Sequence, residues 1–372
     1  MFDTAFSLEP VSPSDADVSL TELVSKGLEK TLPAAGARTF VLVVLDGLGW
    51  VNLSAHLAYA PNLRRLVREQ TAVSPTARSV FPSTTAAAIT SLLTGLAPGA
   101  HNMVGYAVYD PKVQRSFDLI SFKDYPGKVE DFQPQPTWFE RLNSQGNCGY
   151  ALGPQKFVGR GLSLAALRGA EYVASEDLEQ RAIDALNLAN SGGFVYFYVA
   201  DVDHAGHGYG VGSERWLEKL ESADQAVGIL LDGAPAGTEI VITADHGMIN
   251  TSADETTDLI NTPAARLITH ANGEGRVLHL HTPSPQQLAA ELRAALPNAQ
   301  VFEGQETARL FFQHNLTEVR RPELLGDVTV VSGGLSQVLD SRFFAPQVFR
   351  MVGIHGGLSE TEMRVPRLEY RR

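Results

Sequence analysis

Six residues carry the chemistry most legible in this chain: Asp46 in VVLDGLG, Asp203 and His207 in ADVDHAGHGYG, Asp245 and His246 in ADHG, and His355 in IHGG. Glycine flanks each group, so the backbone can fold tightly around an ion. Three aspartates and three histidines supply oxygen and nitrogen ligands for two divalent metals, with no thiolate required. Taken singly, an Asp after a buried strand also serves as a helix cap or turn former. The conjunction points to metal. A hydroxyl nucleophile is available in SVFPSTTAAAITSLLTG, where Pro82 ends an extended stretch and two threonines open a helix of small residues. Unpaired N–H groups and the helix dipole at such a start favour a phosphate oxyanion. One of Ser83 and Thr84 caps the helix, which leaves Thr85 to react.

The elements that must position these residues follow from periodicity. Phe40 to Asp46, Phe194 to Asp201, Glu239 to Asp245 and, more weakly, EYVA near Tyr172 read as buried parallel strands. Helical patterns begin at Ala60, Thr84, Asp177 and Ser213, the last an N-cap. The alternation predicts an α/β fold with a mostly parallel central sheet and helices on both faces. Three of its strands end in Asp at the edge where ligands bind to such sheets. Tyr109 to Pro136 lacks periodicity and reads as a long surface excursion. Residues 267–327 read as a small α+β insertion, dividing the chain into a core of 1–266 and 328–372 and the inserted unit.

The remaining histidines lack this company. His279 and His281 share a face of a presumed strand without a carboxylate and read as surface or interface residues. His56, His101, His204, His270 and His314 read as structural, with His204 and Asp201 flanking Asp203 closely enough to support it.

Composition narrows the class. With 44% hydrophobic and 19% charged residues, the 372-residue chain can bury a large core. The net charge of −12 repels phosphate backbones and anionic lipid, so neither a nucleic-acid polymer nor a membrane is an expected partner. A single cysteine, Cys148, excludes an internal disulfide and any CxxC motif. The first twenty residues have neither a basic start nor an apolar stretch, and a cytoplasmic location is expected. DGLGW lacks the third glycine of a dinucleotide fingerprint, and neither GxSxG nor a P-loop occurs.

As an ordered set, VVLDGLG, FPSTTAAAITSLLTG with APGAHNMVGY, DVDHAGHGYG, VITADHGM and IHGGLSETEMRVP resemble the alkaline phosphatase superfamily, and within it the type I phosphodiesterase/nucleotide pyrophosphatase family. The resemblance spans Phe40 to Pro366. It implies an alkaline phosphatase-like fold, one metal held by Asp203, His207 and His355, and a second held by Asp46, Asp245 and His246. Thr85 would lie between them. The metals implied are two zinc ions, with manganese as the alternative.

Two positions depart from the family pattern. The usual Thr-Phe-Pro-Asn would place Val80 at the reactive position, and valine cannot attack. Spacing back from Thr94-Gly95 selects Thr85 instead, with Thr84 as the fallback. The family's phosphate-binding Asn is matched by Tyr106, whose hydroxyl can also donate. The implied function is hydrolysis of phosphodiester or nucleotide pyrophosphate bonds through a phosphothreonine, on a small phosphorylated substrate such as a nucleotide diester. A phosphomonoesterase, phosphonate hydrolase or phosphotransferase on the same site is the alternative. The Cys/Ser-x-Pro-x-Arg motif of sulfatases is absent, and the insertion is too short for a cofactor-independent phosphoglycerate mutase.

The two Asp/His triads predict close to two divalent ions per purified chain. Elemental analysis checks this, and at most one tightly bound ion would contradict it.

Overall fold

Three runs of β-branched and aromatic residues form the centre of the main sheet. Thr39–Leu45 is buried along its whole length, with Gly193–Val199 and Thr238–Thr243 parallel on either side. A strand covered on both faces reads as a continuous apolar run rather than an alternating one. The computed structural model describes residues 18–31, 39–71, 73–311 and 319–372. Among these, eight strands form the main sheet, in the order Val18–Ser19, Thr76–Arg78, Arg364–Arg371, Thr238–Thr243, Thr39–Leu45, Gly193–Val199, Gly149–Gly153, Glu171–Ala174. Only Arg364–Arg371 runs antiparallel to its neighbours. The expected α/β architecture is therefore present.

Helices cover the sheet in two groups. Leu20–Thr31 packs on Thr85–Thr94, while Leu178–Ala189 and Pro61–Glu69 pack on Glu214–Gly233. Ser213 caps the last of these through its side chain, as the sequence indicates, and Asp177 caps Leu178–Ala189. Asp224, buried in the middle of Glu214–Gly233, accepts hydrogen bonds from the backbone N–H of Asn62 (3.0 Å) and Leu63 (2.8 Å). It thereby satisfies orphan donors at the start of Pro61–Glu69.

The smaller unit is a four-stranded antiparallel sheet, ordered His270–Glu274, Val277–His281, Val328–Ser332, Ala299–Glu303. Helix Pro285–Ala295 turns Leu288, Ala289 and Leu292 onto it. Its third strand comes from residues beyond 327, because Val328–Ser332 pairs with both neighbours.

Two expectations are corrected. The segment from Tyr109 to Pro136 is not a bare surface excursion: Phe117, Phe122 and Phe132 are buried and pack together with Tyr125. Clustered aromatics need no helical or strand period to form a core. His279 is fully buried, with Nε2 donating to the Val104 carbonyl (3.1 Å) and Nδ1 facing the Thr329 hydroxyl (3.3 Å). His281 and His270 both pack against Tyr109, whose ring stacks on His270 at 3.8 Å. His101 is buried, its Nε2 facing the Ser91 hydroxyl at 2.9 Å, and His56 bonds the Asn52 carbonyl through Nδ1. His314 lies outside the described residues.

Burial depresses the pKa of His279 from 6.5 to about 4. Between those values the unfolded chain holds a proton that the folded chain does not, so stability is lost as pH falls through that window. Urea unfolding at pH 7 and pH 5 should show the decline, and His279→Gln should lose part of it. An unchanged pH dependence in that variant would assign the decline to other groups.

Candidate metal centre

The parallel sheet delivers the carboxylates. Asp46, Asp203 and Asp245 come just after three adjacent strands, Thr39–Leu45, Gly193–Val199 and Thr238–Thr243, all on the C-terminal edge. Asp203 and His207 lie on helix Asp201–Tyr209, where an i, i+4 spacing puts them on one face. Gly47 has φ of 73°, and a Cβ there would come within 2.9 Å of the Asp203 Cβ. That glycine lets Asp46 and Asp203 approach.

Every histidine of the six is oriented the same way. Nδ1 of His207 donates to the Gly353 carbonyl (2.8 Å), that of His246 to the Gly247 carbonyl (3.1 Å) and that of His355 to the Ser83 carbonyl (3.0 Å). A carbonyl can only accept, so each Nε2 is left with a lone pair facing inward. Nε2 of His207 is 3.3 Å from Asp203 Oδ2, and that of His355 is 3.8 Å from Asp203 Oδ1. Nε2 of His246 is 3.5 Å from Asp46 Oδ1 and 3.4 Å from Asp245 Oδ2. The His246 and His355 rings stack at 3.7 Å.

The carboxylates are arranged in a complementary way. Asp245 Oδ1 accepts from the N–H groups of Gly47 (3.1 Å) and His246 (3.0 Å), and Asp46 Oδ2 accepts from the Tyr198 hydroxyl. The opposite oxygens, Asp245 Oδ2 and Asp46 Oδ1, together with Asp203 Oδ1, are buried without a hydrogen-bond partner. Unpaired buried anionic oxygens are costly unless a cation sits among them. Burial, and after it the negative charges of Asp245 and Asp203, holds the Asp46 carboxyl well above its usual range. Burial, together with His246 and His207, holds the His355 imidazole well below its own, in the neutral form that ligates metal. Asp203, His207 and His355 can share one ion, and Asp46, Asp203 and His246 a neighbouring one, with Asp245 beside them. The residues fit two divalent ions.

Thr85 and Thr84 separate clearly. Thr85 opens helix Thr85–Thr94, is partly exposed, and places Oγ1 3.2 Å from His246 Nε2. Thr84 is buried, makes no side-chain cap and lies beside the Glu274 carboxyl. Val80 is buried, and Tyr106 is 46% exposed. Asp201 and His204 do not support Asp203: Asp201 lies 3.8 Å from Lys219 Nζ, and His204 faces solvent.

Sequence reasoning missed Tyr198 and Glu274. Tyr198 pairs in register with Val44, two residues before Asp46, so strand pairing was needed to find it. Glu274 comes from the small sheet, where nothing in its local sequence marks it.

A parallel sheet with paired Asp/His clusters at its C-terminal edge defines a two-metal core of the alkaline phosphatase superfamily. A family model described as type I phosphodiesterase / nucleotide pyrophosphatase matches residues 40–333, and the chain belongs to that family. Curated relatives include mouse ectonucleotide pyrophosphatase/phosphodiesterase family member 3, 27% identical over 228 residues, which are 58% of this chain and 25% of that protein. Venom phosphodiesterase 2 of Crotalus adamanteus is 25% identical over 224 residues, 58% of this chain and 27% of that protein. The matches thus span about a quarter of those relatives' length. Among solved structures, murine ectonucleotide pyrophosphatase/phosphodiesterase 5, an inactive variant with one threonine replaced by alanine in complex with AMP, superposes with a TM-score of 0.70. It is 17% identical and covers 90% of this chain and 88% of that one.

These relatives correct the expected cytoplasmic location. The matched structures are ectonucleotide enzymes by name, so the cytoplasmic expectation does not stand. A globular core does not encode its compartment, and residues 1–17, on which the expectation leaned, lie outside the described ones. Among the described residues, no helix is long and apolar enough to cross a membrane.

Tyr198→Phe should weaken metal binding by roughly tenfold, because it removes the donor that orients Asp46. Asp245→Asn should cost more, with circular dichroism unchanged. Metal titration checks both; a wild-type titration of Tyr198→Phe would mean that the hydroxyl orients nothing.

Proposed function

We propose that the chain is a metal-dependent hydrolase of phosphodiester or nucleotide pyrophosphate bonds in which Thr85 is the nucleophile. The observation that carries this reading is Thr85 Oγ1 at a helix N-terminus, 3.2 Å from the inward nitrogen of His246 and beside the unpaired carboxylate oxygens. Two zinc ions, or manganese, bound by Asp203, His207, His355 and by Asp46, Asp245, His246 would supply Lewis-acid stabilisation and lower the pKa of the Thr85 hydroxyl and of water. Thr85 Oγ1 gives up its proton to solvent and attacks phosphorus, forming a phosphothreonine as the P–O bond to the alcohol or nucleotide breaks and the leaving oxygen is protonated by water. Water then cleaves the phosphothreonine from the vacated side, and two inversions retain configuration at phosphorus. The N-terminus of Thr85–Thr94 favours the transferred anion.

The substrate is a small phosphorylated molecule such as a nucleotide diester rather than a nucleic-acid polymer, given the net charge of −12. The AMP in complex with the murine relative and the names of the other relatives support a nucleotide. A diester monoanion suits the site better than a monoester dianion, which enzymes usually hold with a free guanidinium. Arg78 is paired with Glu360 at 3.3 Å, and Arg276 with Glu362. Tyr106 offers exposed aromatic surface for the second substituent.

Thr85→Ala should reduce turnover by several orders of magnitude with metals still bound, while Thr84→Ala should cost far less; steady-state kinetics with metal analysis decides, and the reverse ranking would move the nucleophile to Thr84. The kcat/KM for a p-nitrophenyl or nucleotide diester should exceed that for p-nitrophenyl phosphate, and Tyr106→Ala should narrow the difference. A monoester preferred by about tenfold, or 1.4 kcal/mol, would instead make the protein a phosphatase.

A further inference from the structure

The small sheet reaches the metal centre through the tip of one hairpin. Strands His270–Glu274 and Val277–His281 are joined by Gly275 and Arg276, so Glu274 and Arg276 are the tip residues; Arg276 is buried against the core, and the Glu274 carboxyl, 13% exposed, sits beside His355. The Arg276 guanidinium, 1% exposed, forks onto Glu362, itself fully buried: Nε donates to Oε1 at 3.0 Å and Nη2 to Oε2 at 2.9 Å.

Glu362 is the hub of the loop that carries His355. Its carboxylate also accepts from the Gly357 N–H at 2.8 Å, two residues beyond His355, and from the Ser359 hydroxyl. Its backbone carbonyl accepts from the Gly247 N–H at 2.8 Å, next to His246. The Gly357 carbonyl takes the Ser83 hydroxyl at 2.7 Å, and the Ser83 carbonyl takes the Nδ1–H of His355. The other tip residue closes the arrangement. Glu274 Oε2 lies 3.7 Å from His355 Nδ1, and a Cβ on Gly356 would come within 2.8 Å of the Glu274 carboxyl carbon.

A buried ion pair contributes little net stability, because desolvation offsets its attraction and an apolar pair could fill the same space. An apolar pair could not aim the Gly357 N–H. We propose that Arg276, acting through Glu362 and assisted by Glu274, is a positioning residue for His355, so that the small α+β unit is a working part of the metal centre. The inference rests on the two-metal reading above.

Titration with Co2+ alone, followed by its visible absorption, tests this without turnover. Wild type should take up two ions. The double variant Arg276→Met with Glu362→Gln removes the pair without stranding a buried charge. It should hold one ion with wild-type affinity and the other roughly 10–100-fold more weakly. In a His207→Ala background, the same pair of substitutions should leave the remaining ion's affinity unchanged. Glu274→Gln, which leaves the ion pair intact, should weaken the same single ion and decides the matter if the double variant does not fold. Two ions held as tightly as in wild type, or both weakened equally, would overturn the positioning role alone. Fewer than two ions on wild type would remove the two-metal reading and this inference with it.

Discussion

Three aspartates converge where, among the described residues, no Lys or Arg side chain pairs with them, and the rest of the site is organised around that repulsion. Two unit charges about 4 Å apart interact with about 4 kcal/mol at an effective dielectric of 20. Ligand atoms of Asp46, Asp203 and His246 lie within 4.8 Å of one another, Asp245 Oδ2 lies 3.4 Å from His246 Nε2, and each of the three carboxylates has one oxygen lacking a partner. Such a cluster is tolerable when divalent cations turn repulsion into attraction. The protein's donors are all directed to the other oxygens, as with Gly47 N–H on Asp245 and the Tyr198 hydroxyl on Asp46. The histidines obey the same division, with Nδ1 satisfied by backbone and Nε2 turned inward.

A parallel sheet is well suited to holding such a cluster. Its central strands end together at one edge, and their backbone hydrogen bonds fix where each ligand-bearing segment leaves the sheet. The helix bearing Thr85 can lie close because its residues Ala86, Ala87 and Ala88 are small and fully buried, and it stops at Gly95 in a left-handed conformation that a glycine takes without strain. Thr85 therefore opens a helix that packs closely against the sheet edge carrying the aspartates. Asp224 and Arg276 show the complementary principle: a buried charge far along the chain satisfies backbone or side-chain partners that local sequence leaves open.

The family likeness and the solved structures agree on the core, yet they bear differently on function. At 17% identity over 90% of the chain, the structural match establishes the fold. Fold-mates with one metal pair differ in leaving group, so the chemistry belongs to the site and its surroundings. Here the surroundings are the exposed ring of Tyr106, arginines already committed to Glu360 and Glu362, and a carboxyl from the small sheet beside Thr84.

The amino-acid sequence by itself determined the sheet, because continuous β-branched runs such as Thr39–Leu45 are legible wherever a strand is covered on both faces. It also determined the identity of the six Asp and His residues, because their types and glycine neighbours are written locally. Tertiary structure decided the features that depend on contacts far apart in the chain. The different surroundings of Thr84 and Thr85 depend on such contacts: Thr84 is buried beside Glu274, nearly two hundred residues away, while Thr85 faces His246. The burial of His279, the aromatic core between Tyr109 and Pro136, the solvent-facing His204 and the clamp from Arg276 to Glu362 belong to the same class. Periodicity reports which face of an element is apolar, but which polar group meets which is fixed only when the elements pack.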